Sequence, residues 1–115
     1  MHSELKPILE KSQQSVYVYF GDDEKFCNKK FAMLLGYKSH EEWAKVEESF
    51  PVAFVADKSQ ETLVKTYQKA MTKMVGSIVK ISWKKKSGGT VDTEVILVPI
   101  TFRDYAFALH FINKL

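Results

Sequence analysis

Asn28-Lys29-Lys30-Phe31-Ala32-Met33-Leu34-Leu35-Gly36-Tyr37, followed closely by Ser39-His40-Glu41-Glu42-Trp43, is the stretch on which the fold of this 115-residue chain turns. It encodes two short helices and the corner between them. The Asn28 side-chain oxygen can accept from the free N–H groups of a first helical turn. Phe31, Leu34 and Leu35 fall at i, i+3 and i+4, which makes one apolar face. Gly36 ends that helix, where a left-handed residue costs least. Ser39, with Glu42 three residues on, is a capping box for a second helix through Trp43 and Val46.

Toward the N-terminus, Ser15 to Phe20 is a run of β-branched and aromatic residues and predicts a strand. Gly21-Asp22-Asp23 predicts a turn, and Glu24 to Cys27 the second arm of a hairpin. Before it, Ser3 to Gln14 reads as a short helix that Ser3 could cap, with Pro7 in its first turn. Leu5, Ile8 and Leu9 give it a narrow apolar face. Toward the C-terminus, Phe50-Pro51 breaks the chain and Pro51 to Val55 has room for a single turn. Asp57 and Gln60 form another capping box, opening the longest helix. Leu63, Tyr67, Ala70, Met71 and Met74 are its expected buried stripe, Lys65, Lys69 and Lys73 a solvated face with Glu61 paired to Lys65. Gly76 is its expected end. Three strands follow: Ser77 to Lys86, a Ser87-Gly88-Gly89 turn, Thr90 to Thr101, and Tyr105 to Asn113. Two β blocks flanking a helical block predict an α+β fold: one antiparallel sheet with helices on one face.

The composition narrows the function. At 45% hydrophobic and 13% aromatic, the chain buries a real core and is not disordered. The net charge of +3 is spread along the chain apart from Lys84-Lys85-Lys86, which argues against nucleic acid as partner. No apolar run nears the ~20 residues of a membrane span. One cysteine, Cys27, excludes an internal disulfide and fits a reducing, cytoplasmic setting. Residues 1–14 lack the apolar core of a signal peptide.

The order Asn28, Phe31, Leu35-Gly36-Tyr37, Ser39-His40-Glu41-Glu42 resembles the PAS domain family. So do the Lys86-Ser87-Gly88 turn, similar to that family's Lys-Asp-Gly hairpin, and the Pro99-Ile100 pair. The resemblance spans about Ser15 to Asn113. It implies a stand-alone PAS-like domain over 15–115, with five antiparallel strands in the order β-β-α-α-α-α-β-β-β. Residues 1–14 would form an N-terminal helix on the outer sheet face or at a dimer interface. The family contains sensors of small molecules, haem-bound gases and flavin-borne light or redox signals, and members that only dimerise.

Its cofactor-bearing subgroups fit poorly. The flavin-adduct photosensors carry a cysteine in the helical block, and residues 48–57 have none. Cys27 sits on a strand and reads as a small buried thiol. The oxygen-sensing haem subgroup uses a histidine on the long helix, and Asp57 to Val75 has none. The cofactor is therefore unknown, with flavin adduct and helix-histidine haem disfavoured.

Strand alternation puts Val79, Ile81 and Trp83 on one face of their strand, Val91, Thr93, Val95 and Leu97 on one face of the next, and Ala106, Ala108 and His110 on one face of the last. The resemblance implies that each set lies on the inner face. Trp83, Thr93, His110, Ile81, Val95 and Ala108, with Tyr67 from the long helix, are then the expected pocket lining. Trp83, Thr93 and His110 would meet over the pocket, where flavin-binding relatives have amides. His110 is either a ligand anchor or a core histidine bonded to Thr93 or Tyr67; His2 and His40 read as surface residues. No metal-ligand spacing occurs.

The opposite face collects Ile96, Val98, Tyr105, Phe107, Leu109 and Phe111. An apolar outer face demands a cover. Leu5, Ile8 and Leu9 of the N-terminal helix, shared with a second copy or a signalling partner, are the expected one. Three functions follow. One is a sensor that binds a small ligand, dimerises, or both. A second is a ligand-free interaction module with a filled core. A third is an isomerase-like enzyme, disfavoured because Asp57, Asp92, Glu94 and Asp104 fall at caps, turns or the outer face. The family's Asp-x-Thr exit into an effector helix is absent from Phe111-Ile112-Asn113-Lys114-Leu115, so signal output is expected through non-covalent contacts.

Overall fold

The computed structural model describes residues 7–21 and 24–115. The expectations for His2, Ser3, Leu5 and the Asp22-Asp23 turn lie outside the described residues. Strands β1 (Ser15–Gly21) and β2 (Glu24–Cys27) come first. Helices α1 (Lys29–Leu34), α2 (His40–Ala44), α3 (Phe50–Phe54) and α4 (Asp57–Lys73) follow. Strands β3 (Ser77–Lys84), β4 (Thr90–Phe102) and β5 (Tyr105–Lys114) close the chain. One five-stranded antiparallel sheet results, in the order β2-β1-β5-β4-β3.

The two short helices begin where their caps place them. Ser39 accepts from the Glu42 N–H at 3.1 Å. Asn28 goes further and binds three segments together. Its Oδ1 accepts from the Phe31 and Val16 N–H groups at 3.1 and 3.2 Å. Its Nδ2 donates to the carbonyls of Gln14 and Leu9 at 2.7 and 3.3 Å. The side chain is buried, so every bond it can make is valuable and is made. Gly36 takes φ +88°, as a left-handed end requires. Beyond it, Lys86 N–H donates to Leu35 O at 2.8 Å and ties the β3–β4 hairpin to the end of α1.

The expected boundaries are corrected in several places. Of the expected N-terminal helix, residues 7–10 are helical and residues 11–14 are not, and its earlier residues lie outside the described ones. Helix α4 starts on Ala56 without a side-chain cap. Gln60 instead donates to Val55 O and Asp57 Oδ1 at 3.0 and 3.2 Å. The helix ends on Met74 in the left-handed region, φ 55°, two residues before Gly76. Met74 is consequently exposed, while Leu63 and Ala70 of the expected stripe are buried. Glu61 and Lys65 pair as expected. The β4–β5 turn forms with Arg103 and Asp104 both at positive φ, the geometry of a two-residue hairpin turn.

The inner face of the sheet carries the larger core. Trp43, Trp83, Tyr17, Phe31 and Phe54 are fully buried there. The start of α4 is held to β3 by three features. These are a Val55–Trp83 bridge, an Ala56 N–H to Ser82 O bond of 2.9 Å, and a Ser82 N–H to Ser59 Oγ bond of 3.0 Å. Further along α4, Ala70 packs on Leu97 and Ala108.

The outer face is divided. Over β1 and β2, Leu9 covers Val16, Val18, Phe26 and Phe107 in a second, smaller core. The remaining cover is thin. Ile8 is 67% exposed and so takes no part in it. Ile96, Val98, Leu109 and Phe111 are half-buried, and Tyr105 and Ile78 are exposed. On β5, Ala106 is exposed, whereas Ala108, His110 and also Ile112 turn inward.

Candidate functional site

Polar groups on the inner face sort into two places. Trp83 Nε1 donates to Thr93 Oγ1 at 2.8 Å, and Thr93 Oγ1 donates to Ile81 O at 2.8 Å. Both side chains are fully buried. Their hydrogen bonds are used up between them, so this pair needs no further partner.

His110 does not join them. It stands opposite Leu97 on β4, whereas Thr93 stands opposite Lys114. Four strand positions separate the two levels, about 13 Å along the strand. The expected meeting of Trp83, Thr93 and His110 is therefore replaced by two sites. Register, which alternation alone leaves open along a strand, is the reason.

His110 instead stacks on Tyr17 of β1, its cross-strand neighbour, with ring centroids 3.9 Å apart and planes at 11°. Both rings line a cavity of about 210 Å3 between the sheet and helices α3 and α4. Its wall is completed by Tyr19, Phe50, Pro51, Leu63, Val64, Tyr67 and Gln68. Tyr67 and His110 are the two expected lining residues that border it. Trp83, Thr93, Ile81, Val95 and Ala108 do not, because they are sealed in packed parts of the core. Trp83, itself in contact with Phe31, Phe50 and Tyr17, fills the middle of the helical side. The space is displaced toward β1 and β5.

Tyr17, Tyr19 and Phe50 were not expected at the site. The signal was present in the alternation of β1: Tyr17 and Tyr19 share a face, opposite Val16 and Val18. The aromatic wall is continuous. Tyr17 and Phe50 lie 5.2 Å apart, Tyr19 and Phe50 5.3 Å, and Tyr19 and Tyr67 5.3 Å in an edge-on contact.

Tyr17 Oη and His110 Nδ1 are themselves sealed from the cavity and have no hydrogen-bond partner. Burial pushes the His110 imidazole down to about 3, against a smaller upward pull from the backbone of Tyr17 and Ala108. The ring is thus neutral at pH 7, with one donor and one acceptor nitrogen. Burial, with the neighbouring Tyr19, pushes the Tyr17 hydroxyl well above its ordinary value, so it too is neutral. No lysine, arginine, aspartate or glutamate borders the cavity among the described residues. A third atom without a partner, Trp43 Nε1, lies on the packed side, with Lys25 Nζ 5.7 Å from the Trp43 ring centre.

Elsewhere, Cys27 is buried, and burial pushes its thiol well above the ordinary range, away from thiolate chemistry. His40 lies 3.4 Å from Glu10 and 3.2 Å from Glu41 near the surface. Asp92 accepts from Ser82 Oγ on the outer face. Among the described residues no cluster of three His, Cys, Asp or Glu side chains could hold a metal ion. No helix of the described residues is long and apolar enough to cross a membrane.

A five-stranded antiparallel sheet cupping four helices and a cavity on one face defines a PAS-like domain, and the solved structures agree. The PAS domain of a protein from Colwellia psychrerythraea superposes with a TM-score of 0.75 at 17% identity, over 98% of this chain and 95% of that one. A PAS domain of a two-component sensor histidine kinase gives 0.72 at 14% identity, over 98% and 99%. A light-oxygen-voltage domain studied with a flavin analogue gives 0.72 at 16% identity, over 97% and 84%. No protein-family model matches the chain, and no curated protein matches its sequence. At these identities the likeness establishes the fold, and the chemistry rests on this chain's own residues.

Proposed function

We propose that this chain is a sensory PAS-type domain that takes a small molecule into the cavity over β1 and β5. The observation that carries this reading is a space of about 210 Å3 between the sheet and helices α3 and α4, walled largely by aromatic rings. The volume is below the roughly 300–1,000 Å3 of sites for drug-sized ligands. That supports a small ligand over a tricyclic flavin or a haem. Thr93 and Trp83, already bonded to each other, offer no amide to a flavin edge.

A binding role is favoured over catalysis. General acid–base work needs a titratable group poised near neutrality, usually with a second group to orient it. His110 is held far below neutrality, and no carboxylate, thiol or second imidazole borders the cavity among the described residues.

Native mass spectrometry and an absorption spectrum of protein purified without added cofactor test the reading. Extra mass that denaturation releases supports it. A protein at sequence mass that no small molecule stabilises overturns it in favour of a filled-core interaction module.

A specific observation supports partner binding as a second activity. Ile78, paired with Ile96 on the outer face, is 68% exposed and continues into half-buried Phe111, Val98 and Leu109. An apolar strip of this kind suits a second copy of the chain, with Leu9 beside it. Tyr105 and Ile8 lie at its margins. Sedimentation at high micromolar concentration is expected to show a dimer that Ile78→Lys weakens. A monomer throughout would remove this activity and leave the cavity untouched.

A further inference from the structure

The cavity wall restricts what it can hold more closely than size does. Its described lining has three tyrosines, one phenylalanine and one histidine among nine residues, and no charged side chain. Tyr17, Tyr19, Phe50 and Tyr67 touch in series, so the wall is a nearly continuous surface of rings. Rings gain from offset or edge-on contact with another ring beyond what area alone provides. An aliphatic guest of equal size gains only the area.

Aromatic walls also attract cations, so charge has to be decided separately. Among the described residues, no carboxylate borders the space to balance a cation, and no lysine or arginine borders it to meet an anion. An unpaired charge taken out of water is penalised heavily in either case. The polar groups that remain are dipoles: the hydroxyls of Tyr17, Tyr19 and Tyr67, the Gln68 amide and the His110 imidazole. Tyr17 Oη and His110 Nδ1 are sealed from the space, so its polar surface comes from the rest of this set.

Size sets the last limit. An apolar cavity of about 150 Å3 holds one benzene ring. A space of about 210 Å3 takes one ring with a short substituent, or a small fused pair.

Resting on the ligand-binding reading above, we infer that this site selects uncharged one- or two-ring aromatic molecules, such as phenols and indoles, over aliphatic or charged molecules of equal size. The ring lies against Tyr19, Phe50 and Tyr67. Val64, part-exposed on α4, lies at the helical wall.

Titration of the full chain with phenol, cyclohexanol, benzoate and tetramethylammonium, followed by amide chemical shifts, tests this. Phenol is expected to saturate and to bind at least tenfold more tightly than cyclohexanol, with the two ions showing no saturable binding. Val64→Trp, which blocks the space from the exposed side of α4, should abolish phenol binding while leaving the circular dichroism spectrum unchanged. Equal binding of cyclohexanol, or tighter binding of either ion, would overturn the ligand class and leave the ligand-binding reading standing. Failure of all four probes to bind would overturn the ligand class, while native mass spectrometry still decides the ligand-binding reading. Unchanged phenol binding by Val64→Trp would place the phenol elsewhere and overturn the assignment to this cavity.

Discussion

The two ends of the sheet's inner face are made of similar residues and do different things. Under α1 to α3, over β3 and β4, Trp83 is packed by Phe31 and Phe50, and Thr93 takes its N–H. Over β1 and β5, Tyr17 and His110 stack equally closely, yet Tyr17 Oη and His110 Nδ1 have no partner and the two rings border open space. Aromatic content does not separate a core from a site; how closely the helices approach the sheet does. The reason lies in α4. Its first turn is stitched to β3 through Val55, Ala56 and Ser59, which closes that end. The same helix faces β1 and β5 across the cavity with Leu63, Val64, Tyr67 and Gln68, and among the described residues no backbone bond draws it in there. Trp43 Nε1 is the exception, an unsatisfied donor on the closed side.

Substitutions should break this comparison unequally. Trp83→Ala removes the side chain that fills the closed end, and chemical denaturation should show a loss of about 3–5 kcal/mol, as large core truncations do. A loss under about 1 kcal/mol would mean that the closed end is not packed as described.

Acid should act at the open end. His110 is held at about 3 in the folded chain, below the ~6.5 of an unfolded histidine. Between these values the unfolded state binds the extra proton, so stability is complete above about pH 6.5 and falls as pH drops toward 3. From pH 7 to pH 5 the loss from this group should be about 2 kcal/mol. The titratable groups sharing its cavity are Tyr17 and Tyr19 from β1 and Tyr67 from α4, none of which ionises in that window. His110→Phe should remove this part of the acid slope. An unchanged slope in the variant would show that His110 is not sealed.

A matched pair sharpens the contrast further. Thr93→Val leaves Trp83 Nε1 without an acceptor and should cost on the order of 1.5 kcal/mol. Tyr17→Phe deletes a buried hydroxyl that has no partner, and should change stability by less than about 0.5 kcal/mol. Equal costs for the two would erase the distinction between the ends.

Much of this architecture is legible in local signals. Asn28, Gly36 and Ser39 act on backbone within a few residues of themselves, and each does what its chemistry predicts. The ends of the long helix were less legible. Met74 rather than Gly76 takes the left-handed turn, because the cost of that conformation in one residue is small beside the packing that positions the next strand. The site was legible in part. The inward parity of His110 and the place of Tyr67 on α4 follow from periodicity. The meeting of Trp83, Thr93 and His110 does not occur, because alternation tells which face a residue is on and not how far along the sheet it lies. Tyr17 and Tyr19 were available from the same rule applied to β1.

What the sequence alone determines here is the order of elements, their caps and the two faces of each strand, since these depend on bonds and periods spanning a few residues. Where the cavity lies is a tertiary decision. It depends on the register that sets His110 beside Tyr17, on the bulk of Trp83 filling the centre, and on α4 closing against β3 first. The extent of the outer face's cover is decided in the same way. Leu9 reaches Phe107 only because Asn28, about twenty residues on, holds the Leu9 carbonyl. Such distances along the chain leave no mark in a local pattern, because the energy that fixes them comes from packing between segments that meet only in the folded state.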